Sequence, residues 1–211
     1  MRGRFITLEG IEGAGKSTQS AFIAQYLRAQ GLEVVTTREP GGTPLAERVR
    51  ALVLERGAEA VTPLTETLLM FAARSLHVAH VLRPALARGA WVVCDRFTDA
   101  SRAYQGMGRG VDPALIEALA RAVHGDLTID CTLLFDLPVA EGLARARSRA
   151  GTSDRFESET LAFHERVRQG YLALAALEPR RVQRIDAAAP PAAVQAAVQA
   201  VLERLLAGGR P

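Results

Sequence analysis

Apolar runs of strand length recur along the chain at Phe5–Glu9, Glu33–Arg38, Trp91–Asp95, Thr132–Asp136 and Val182–Asp186. Amphipathic stretches with helical spacing separate them. One runs from Ser17-Thr18 to about Gln30 with Gly31 as its stop, a second starts at Thr62-Pro63 and ends at Gly89, and a third starts at Asp112-Pro113. Each of the last two begins with a side chain able to cap a helix and a proline suited to its first turn. Strands that alternate with helices in this way pack as a parallel sheet covered on both faces, an α/β architecture whose ligands collect at the carboxyl ends of the strands.

The chain has 211 residues, of which 48% are hydrophobic, and no Pro/Gly/Ser-rich linker divides it, so a single domain over 1–211 is expected. No apolar run is long enough to span a bilayer, and the N-terminus passes straight into a strand with no signal-peptide core. A cytoplasmic protein without membrane contact is therefore expected. Cys94 and Cys131 lie in strand-like apolar runs and read as buried reduced thiols. The formal net charge is only +3 and aromatics make up 5% of residues, which argues against nucleic acid as a partner. The helix from Thr65 to Arg88 has more apolar positions than one sheet needs, and is a candidate surface for self-association.

Chemistry enters with lysine. Lys16 is the one lysine among 26 Lys plus Arg, and it stands in Gly10-Ile11-Glu12-Gly13-Ala14-Gly15-Lys16-Ser17, a complete match to GxxxxGK[ST]. A compact ammonium fits between β- and γ-phosphates where a planar guanidinium is too wide. The segment follows a strand and opens a helix, so its amides can turn towards phosphate oxygens. A P-loop NTPase-type fold binding ATP and Mg²⁺ follows, with Gly10 to Ser17 and the adjacent Thr18 around the nucleotide and the Ser17 hydroxyl on the metal. Asp95 ends a buried strand where P-loop proteins keep a metal-holding carboxylate. Arg96, directly after it, suits a second anion, the phosphate that accepts the transfer. A guanine-reading NKxD motif is ruled out, because no lysine follows residue 16.

Taken together with Thr37-Arg38-Glu39-Pro40-Gly41-Gly42-Thr43, Phe71-Ala72-Ala73-Arg74, Asp95-Arg96-Phe97, Ser101-Arg102-Ala103-Tyr104-Gln105-Gly106 and Asp154-Arg155, the P-loop resembles that of the bacterial thymidylate kinases, which are P-loop nucleoside monophosphate kinases. The resemblance runs in order over nearly the whole chain. It implies a homodimer, a five-stranded parallel sheet with helices on both faces, a mobile arginine-rich lid at about 145–157, and the reaction of ATP with dTMP to give ADP and dTDP. It also implies roles. Arg50 and Arg96 hold the dTMP phosphate, with Glu39 near that phosphate and its metal or water shell. Glu12 accepts from the sugar 3′-OH, Arg74 donates to a thymine carbonyl, Ser101 and Gln105 read the remaining base edge, and Tyr104 lies under the deoxyribose. Thymidylate kinases with an acidic residue in the P-loop take a phosphate-stabilising arginine from the lid, and Glu12 places this chain among them. Arg145 and Arg149 share a helix face. Arg145 is assigned to ATP, and Arg149 and Arg155 join Lys16, Asp95 and Arg96 as catalytic candidates.

One departure stands out. The family spacing is FAAxR, whereas Phe71 precedes Arg74 by three positions, so alignment on Arg74 puts Met70 in the base-stacking slot with Phe71 beside it. The competing readings are another nucleotide or deoxynucleoside kinase of the same fold and a nucleotide-binding regulator without transfer activity.

Overall fold

The computed structural model describes residues 3–55, 59–148 and 155–208. Five parallel strands, β1 (Phe5–Glu9), β2 (Val34–Arg38), β3 (Trp91–Asp95), β4 (Cys131–Asp136) and β5 (Val182–Asp186), form one sheet in the order β2-β3-β1-β4-β5. The ladders align Leu8 with both Asp95 of β3 and Leu133 of β4, so β1 and β3 end within one residue of each other while β4 runs two residues past the partner of Glu9. That edge carries Glu9 and Asp95.

Burial explains which runs were easiest to read. Every residue of β1 and β4 is buried, while the edge strands β2 and β5 alternate buried with more exposed positions. This is the pattern expected when helices cover both faces and the edges stay partly solvated. The pleat then sorts side chains into two layers. Ile6, Leu8, Trp91 and Val93 join one core with Ile23 and Leu27 of α1 (Lys16–Ala29). Phe5, Val92 and Cys94 join a second core with Val78, Leu82 and Phe97. Cys94 and Cys131 are buried free thiols, and burial pushes the Cys131 thiol up to about 12.

The remaining helices are α2 (Pro44–Leu54), α3 (Pro63–His77), α4 (Arg83–Ala87), α5 (Thr98–Ser101), α6 (Pro113–His124), α7 (Val139–Arg147), α8 (Leu161–Leu177) and α9 (Pro191–Leu206). The helix expected from Pro63 to Gly89 is not uniform, because a π turn over Val78–Leu82 separates α3 from α4. Pro84, which lacks an N–H and crowds the turn before it, lies just beyond. A second π segment, Arg102–Gly108, continues α5 and packs against α8. Its widened turns bury both Tyr104 and Gln105. No helix among the described residues is long and apolar enough to cross a membrane.

Candidate active site

The P-loop leaves β1 and becomes α1. Gly15 caps that helix at φ 83, a left-handed conformation that costs other residues about 1–2 kcal/mol. Gly13 is needed for a different reason, since a Cβ there would collide with the Gly142 carbonyl of α7. Lys16 folds back over the loop, its Nζ donating to the carbonyls of Gly10 at 3.1 Å and Ile11 at 2.9 Å. Burial, helped by the charge of Arg96, pulls the Lys16 ammonium down to about 8, against the attraction of Asp95, Glu12 and Glu9. Ser17 Oγ lies 3.4 Å from Asp95 Oδ2, and Asp95 Oδ1 is buried without a hydrogen-bond partner. An orphaned carboxylate oxygen beside a hydroxyl is a donor set suited to Mg²⁺, which takes few protein oxygens and completes its shell with water and phosphate.

Arg96 sits at φ 69, the one positive φ at a non-glycine position among the described residues. Its Nη1 donates to Gly10 O at 3.0 Å and to the Tyr171 hydroxyl at 3.1 Å, and its Nη2 to Glu12 Oε1 and the Tyr104 hydroxyl at 3.0 Å each. Tyr104 in turn donates to Glu12 at 2.7 Å. Burial alone would raise the Glu12 carboxyl, but the Arg96 guanidinium, followed by His164 and Lys16, holds it well below the usual range. His164 Nδ1 is 3.5 Å from Glu12 Oε2, and both ring nitrogens of His164 are buried without a bonded partner.

A second buried cluster faces the far end. Arg74 is stacked between the rings of Phe71 at 4.5 Å and Phe97 at 5.3 Å. Its Nε donates to Glu39 Oε2 at 2.6 Å, both terminal nitrogens donate to Ser101 Oγ at 3.1 Å, and Nη2 also reaches Phe97 O. These four bonds leave one guanidinium N–H for a ligand. The other oxygen of Glu39 lies 2.9 Å from His77 Nδ1, and His77 Nε2 lies 2.7 Å from Thr37 Oγ1. Glu39 thus has one oxygen on Arg74 and the other on His77, and it also lines the cavity shared with Arg50 and Arg96.

Both clusters open on one cavity of about 350 Å³. It is lined by the P-loop from Glu12 to Thr18, by Glu39, Arg50, Met70, Arg74, Asp95, Arg96, Ser101, Tyr104, Gln105 and Arg145, and by Arg38, Leu54 and Phe156, which sequence reasoning missed. Gly10 and Ile11 contribute their carbonyls to Lys16 from behind. Arg50 Nη1 donates to Pro40 O at 3.0 Å, and Arg145 Nη1 to Ala187 O at 3.0 Å. Gln105 Nε2 donates to buried Glu66 at 2.7 Å.

Phe71 and Arg155 lie off the cavity lining. Phe71 does not line the cavity and packs with Ile116 and Ala120, while Met70 occupies the lining position. Met70 and Phe71, four and three positions before Arg74, both neighbour it on the helix, and the Phe71 ring is the one stacked on the guanidinium. Arg155 donates to Glu66 Oε2 at 2.6 Å and Val53 O at 2.9 Å and does not line the cavity. Arg149 lies outside the described residues. Besides His77 and His164, Glu9 and Tyr171 went unnoticed. Glu9, a carboxylate at the end of β1 directly before the P-loop, was visible in the sequence, but nothing local marked Tyr171.

A phosphate loop at the carboxyl edge of a parallel sheet, with a metal-type carboxylate and a second set of arginines in the same cavity, defines a P-loop phosphotransferase. Comparison with known proteins narrows the class. The thymidylate kinase family profile matches residues 8–198. The thymidylate kinase of Pseudomonas fluorescens SBW25 is 58% identical over 210 residues, covering 100% of both chains. That of Alkalilimnicola ehrlichii is 56% identical over 95% of this chain and 93% of its own. The crystal structure of thymidylate kinase from Ehrlichia chaffeensis superposes with a TM-score of 0.77 at 36% identity, covering 96% of this chain and 99% of that one. The chain belongs to the thymidylate kinase family, and its activity is phosphoryl transfer to thymidylate.

The buried groups also set how stability varies with pH. Burial, with the charge of Asp99, raises Glu9 to about 7, so its stabilising contribution is complete below about 4.5 and is lost as pH rises through 7. Burial and the charge of Arg74 lower His124 to about 4, so its contribution is present above about 6.5 and lost as pH falls through 4. The two slopes oppose each other between pH 5 and 6.5. Glu9→Gln removes the falling one, and the variant's melting temperature should climb more steeply than the wild type's from pH 5 to 7. Parallel curves would contradict the raised Glu9 carboxyl.

Proposed function

We propose that this cavity transfers the γ-phosphoryl group of ATP to dTMP, giving ADP and dTDP. The carrying observation is that the P-loop and a second arginine set, Arg50 and Arg96, line one continuous cavity. The P-loop amides, Lys16 and Arg145 take the ATP phosphates and neighbouring groups, and Ser17 and Asp95 would hold Mg²⁺, which would supply neutralisation of phosphate charge. Arg96 and Arg50 hold the acceptor phosphate in line. An acceptor already ionised at neutral pH needs little general-base help, so positioning and charge stabilisation carry the reaction. Arg74, Ser101 and Gln105 face the base, Met70 covers it, and Glu12 with Tyr104 meets the sugar. Arg149 remains a proposed lid contribution in the closed complex.

The chain is further proposed to be one kinase domain that pairs with a second copy. Four of the seven exposed large apolar side chains among the described residues, Leu45, Leu52, Leu64 and Leu68, lie on α2 and α3, which pack side by side. Along α3, Ala72 and Ser75 extend the outward stripe at helical spacing. A cytoplasmic location fits two free buried thiols.

ADP release measured with dTMP, thymidine and dUMP as acceptors tests the reaction. Strong dependence on dTMP is expected and none on thymidine, because thymidine lacks the phosphate the Arg50 and Arg96 pair would hold. Lys16→Ala should lower kcat by about 10²-fold or more, roughly 3 kcal/mol, with circular dichroism unchanged. Retention of more than about a tenth of wild-type kcat would overturn the assignment. Met70→Ala should raise the KM for dTMP with modest loss of stability, whereas Phe71→Ala should mainly destabilise, by about 3–5 kcal/mol in urea unfolding. The reverse pattern would make Phe71 the base-covering residue. In sedimentation velocity the wild type should run as a dimer and a Leu52→Glu/Leu68→Glu variant as a folded monomer. A variant that stays dimeric would place the interface on another face.

A further inference from the structure

We infer that Glu9 is a positioning residue that sets Arg96 from both its backbone and its side chain, through Phe97 and Tyr171. This rests on the reading of Arg96 as the holder of the acceptor phosphate. Arg96 begins from an unfavourable position, since its φ of 69 belongs to a region that L side chains rarely adopt. Something outside the residue must hold the turn there. On one side, the Arg96 amide donates to Leu8 O at 2.9 Å, tying it to the residue before Glu9. On the other, the next amide, Phe97 N–H, donates to Glu9 Oε1 at 2.7 Å. The left-handed residue is thereby clamped between two consecutive residues of β1.

The second oxygen of Glu9 reaches the same arginine by another route. The Tyr171 hydroxyl donates to Glu9 Oε2 at 2.7 Å and accepts from Arg96 Nη1 at 3.1 Å. The hydroxyl proton has one direction, and above about pH 7, where Glu9 is ionised, the carboxylate fixes it. Tyr171 then presents its lone pairs to the guanidinium and keeps that nitrogen aimed. Glu9 is completely buried and does not line the cavity, so its hydrogen bonds reach the acceptor side of the site through Arg96.

Glutamine at position 9 has the right shape and the wrong polarity. With its carbonyl on Phe97 N–H, its amide N–H₂ points at Tyr171, which then faces donors from both Gln and Arg96 and can no longer donate to position 9. With the amide flipped, N–H₂ opposes Phe97 N–H and the backbone clamp fails. Either arrangement loosens Arg96.

The test is a double-mutant cycle on the full chain, with kcat and both KM values measured for wild type, Arg96→Ala, Glu9→Gln and the double variant. Arg96→Ala should lower kcat/KM for dTMP by more than about 10-fold, and Glu9→Gln should lower it by roughly 10-fold, with the KM for ATP within about twofold in both. In the Arg96→Ala background, Glu9→Gln should cost nothing further. If Arg96→Ala leaves dTMP kinetics unchanged, the reading of Arg96 fails. If Arg96→Ala acts but Glu9→Gln does not, or if the two losses multiply, the inference about Glu9 is wrong. Should Glu9→Gln not yield folded protein, the same cycle with Tyr171→Phe decides. That variant removes only the hydroxyl, and its loss must likewise disappear when Arg96 is absent.

Discussion

A guanidinium at the end of a buried sheet has to be fully paired, and the pairing of Arg96 organises the rest of the site. Desolvating such a charge is costly unless hydrogen bonds and opposite charge compensate. Arg96 meets that demand by drawing together the P-loop through Gly10 and Glu12, the π segment through Tyr104, and α8 through Tyr171. Three pieces of chain far apart in sequence are fixed relative to the end of β3 by one side chain. The position of Glu12, the low proton affinity of its carboxyl and the direction of the Tyr104 hydroxyl all follow. At the far end Arg74 works by the same logic, with Glu39 as its anion and two aromatic rings as its walls.

These demands bear on the use of arginine throughout the chain. Planar forks serve where two acceptors must be bridged, as Arg102 does on Glu117, Arg168 does on Asp136, and Arg181 does on Asp99 and Glu178. The P-loop asks for the opposite, a point charge small enough to lie under its own carbonyls, and Lys16 provides it. The composition that made Lys16 conspicuous thus has a structural counterpart at each of these positions.

What the sequence disclosed is what local pattern encodes. The P-loop is a continuous backbone motif, and all five strands came within one residue of their observed starts, the central ones because full burial leaves apolar runs and the partly solvated edge strands because each opens on a valine between helical stretches. The π segments escaped notice, since a widened turn changes helical periodicity too little over five or seven residues to be read from apolar spacing. Links between distant residues were hidden for a different reason. Glu39 meets His77 and Arg74, and Arg155 meets Glu66, only after the sheet has formed, so no spacing in the sequence announces them. Met70 and Phe71 lay between these cases. Helix geometry puts both of them on the face of Arg74, four and three positions before it, so spacing alone could not say which one the cavity would touch.

The two buried clusters also constrain how a substrate phosphate is received. Each arginine is already bonded to protein acceptors, so a phosphate taken by Arg96 competes with Glu12, Gly10 O and two phenols for the same N–H groups. Such an exchange costs less than desolvating a hydrated guanidinium, because the charge has been removed from water during folding and its direction set in advance. It also penalises a neutral acceptor, which would gain no charge-assisted bond in return for those it displaced. On the proposed role of Arg96, discrimination between a nucleotide and a nucleoside would follow from its prior pairing as much as from its charge. The same reading gives Glu12 a place in this chain: a P-loop carboxylate 3.0 Å from Arg96 would keep that arginine oriented across the cavity until a substrate phosphate replaced it.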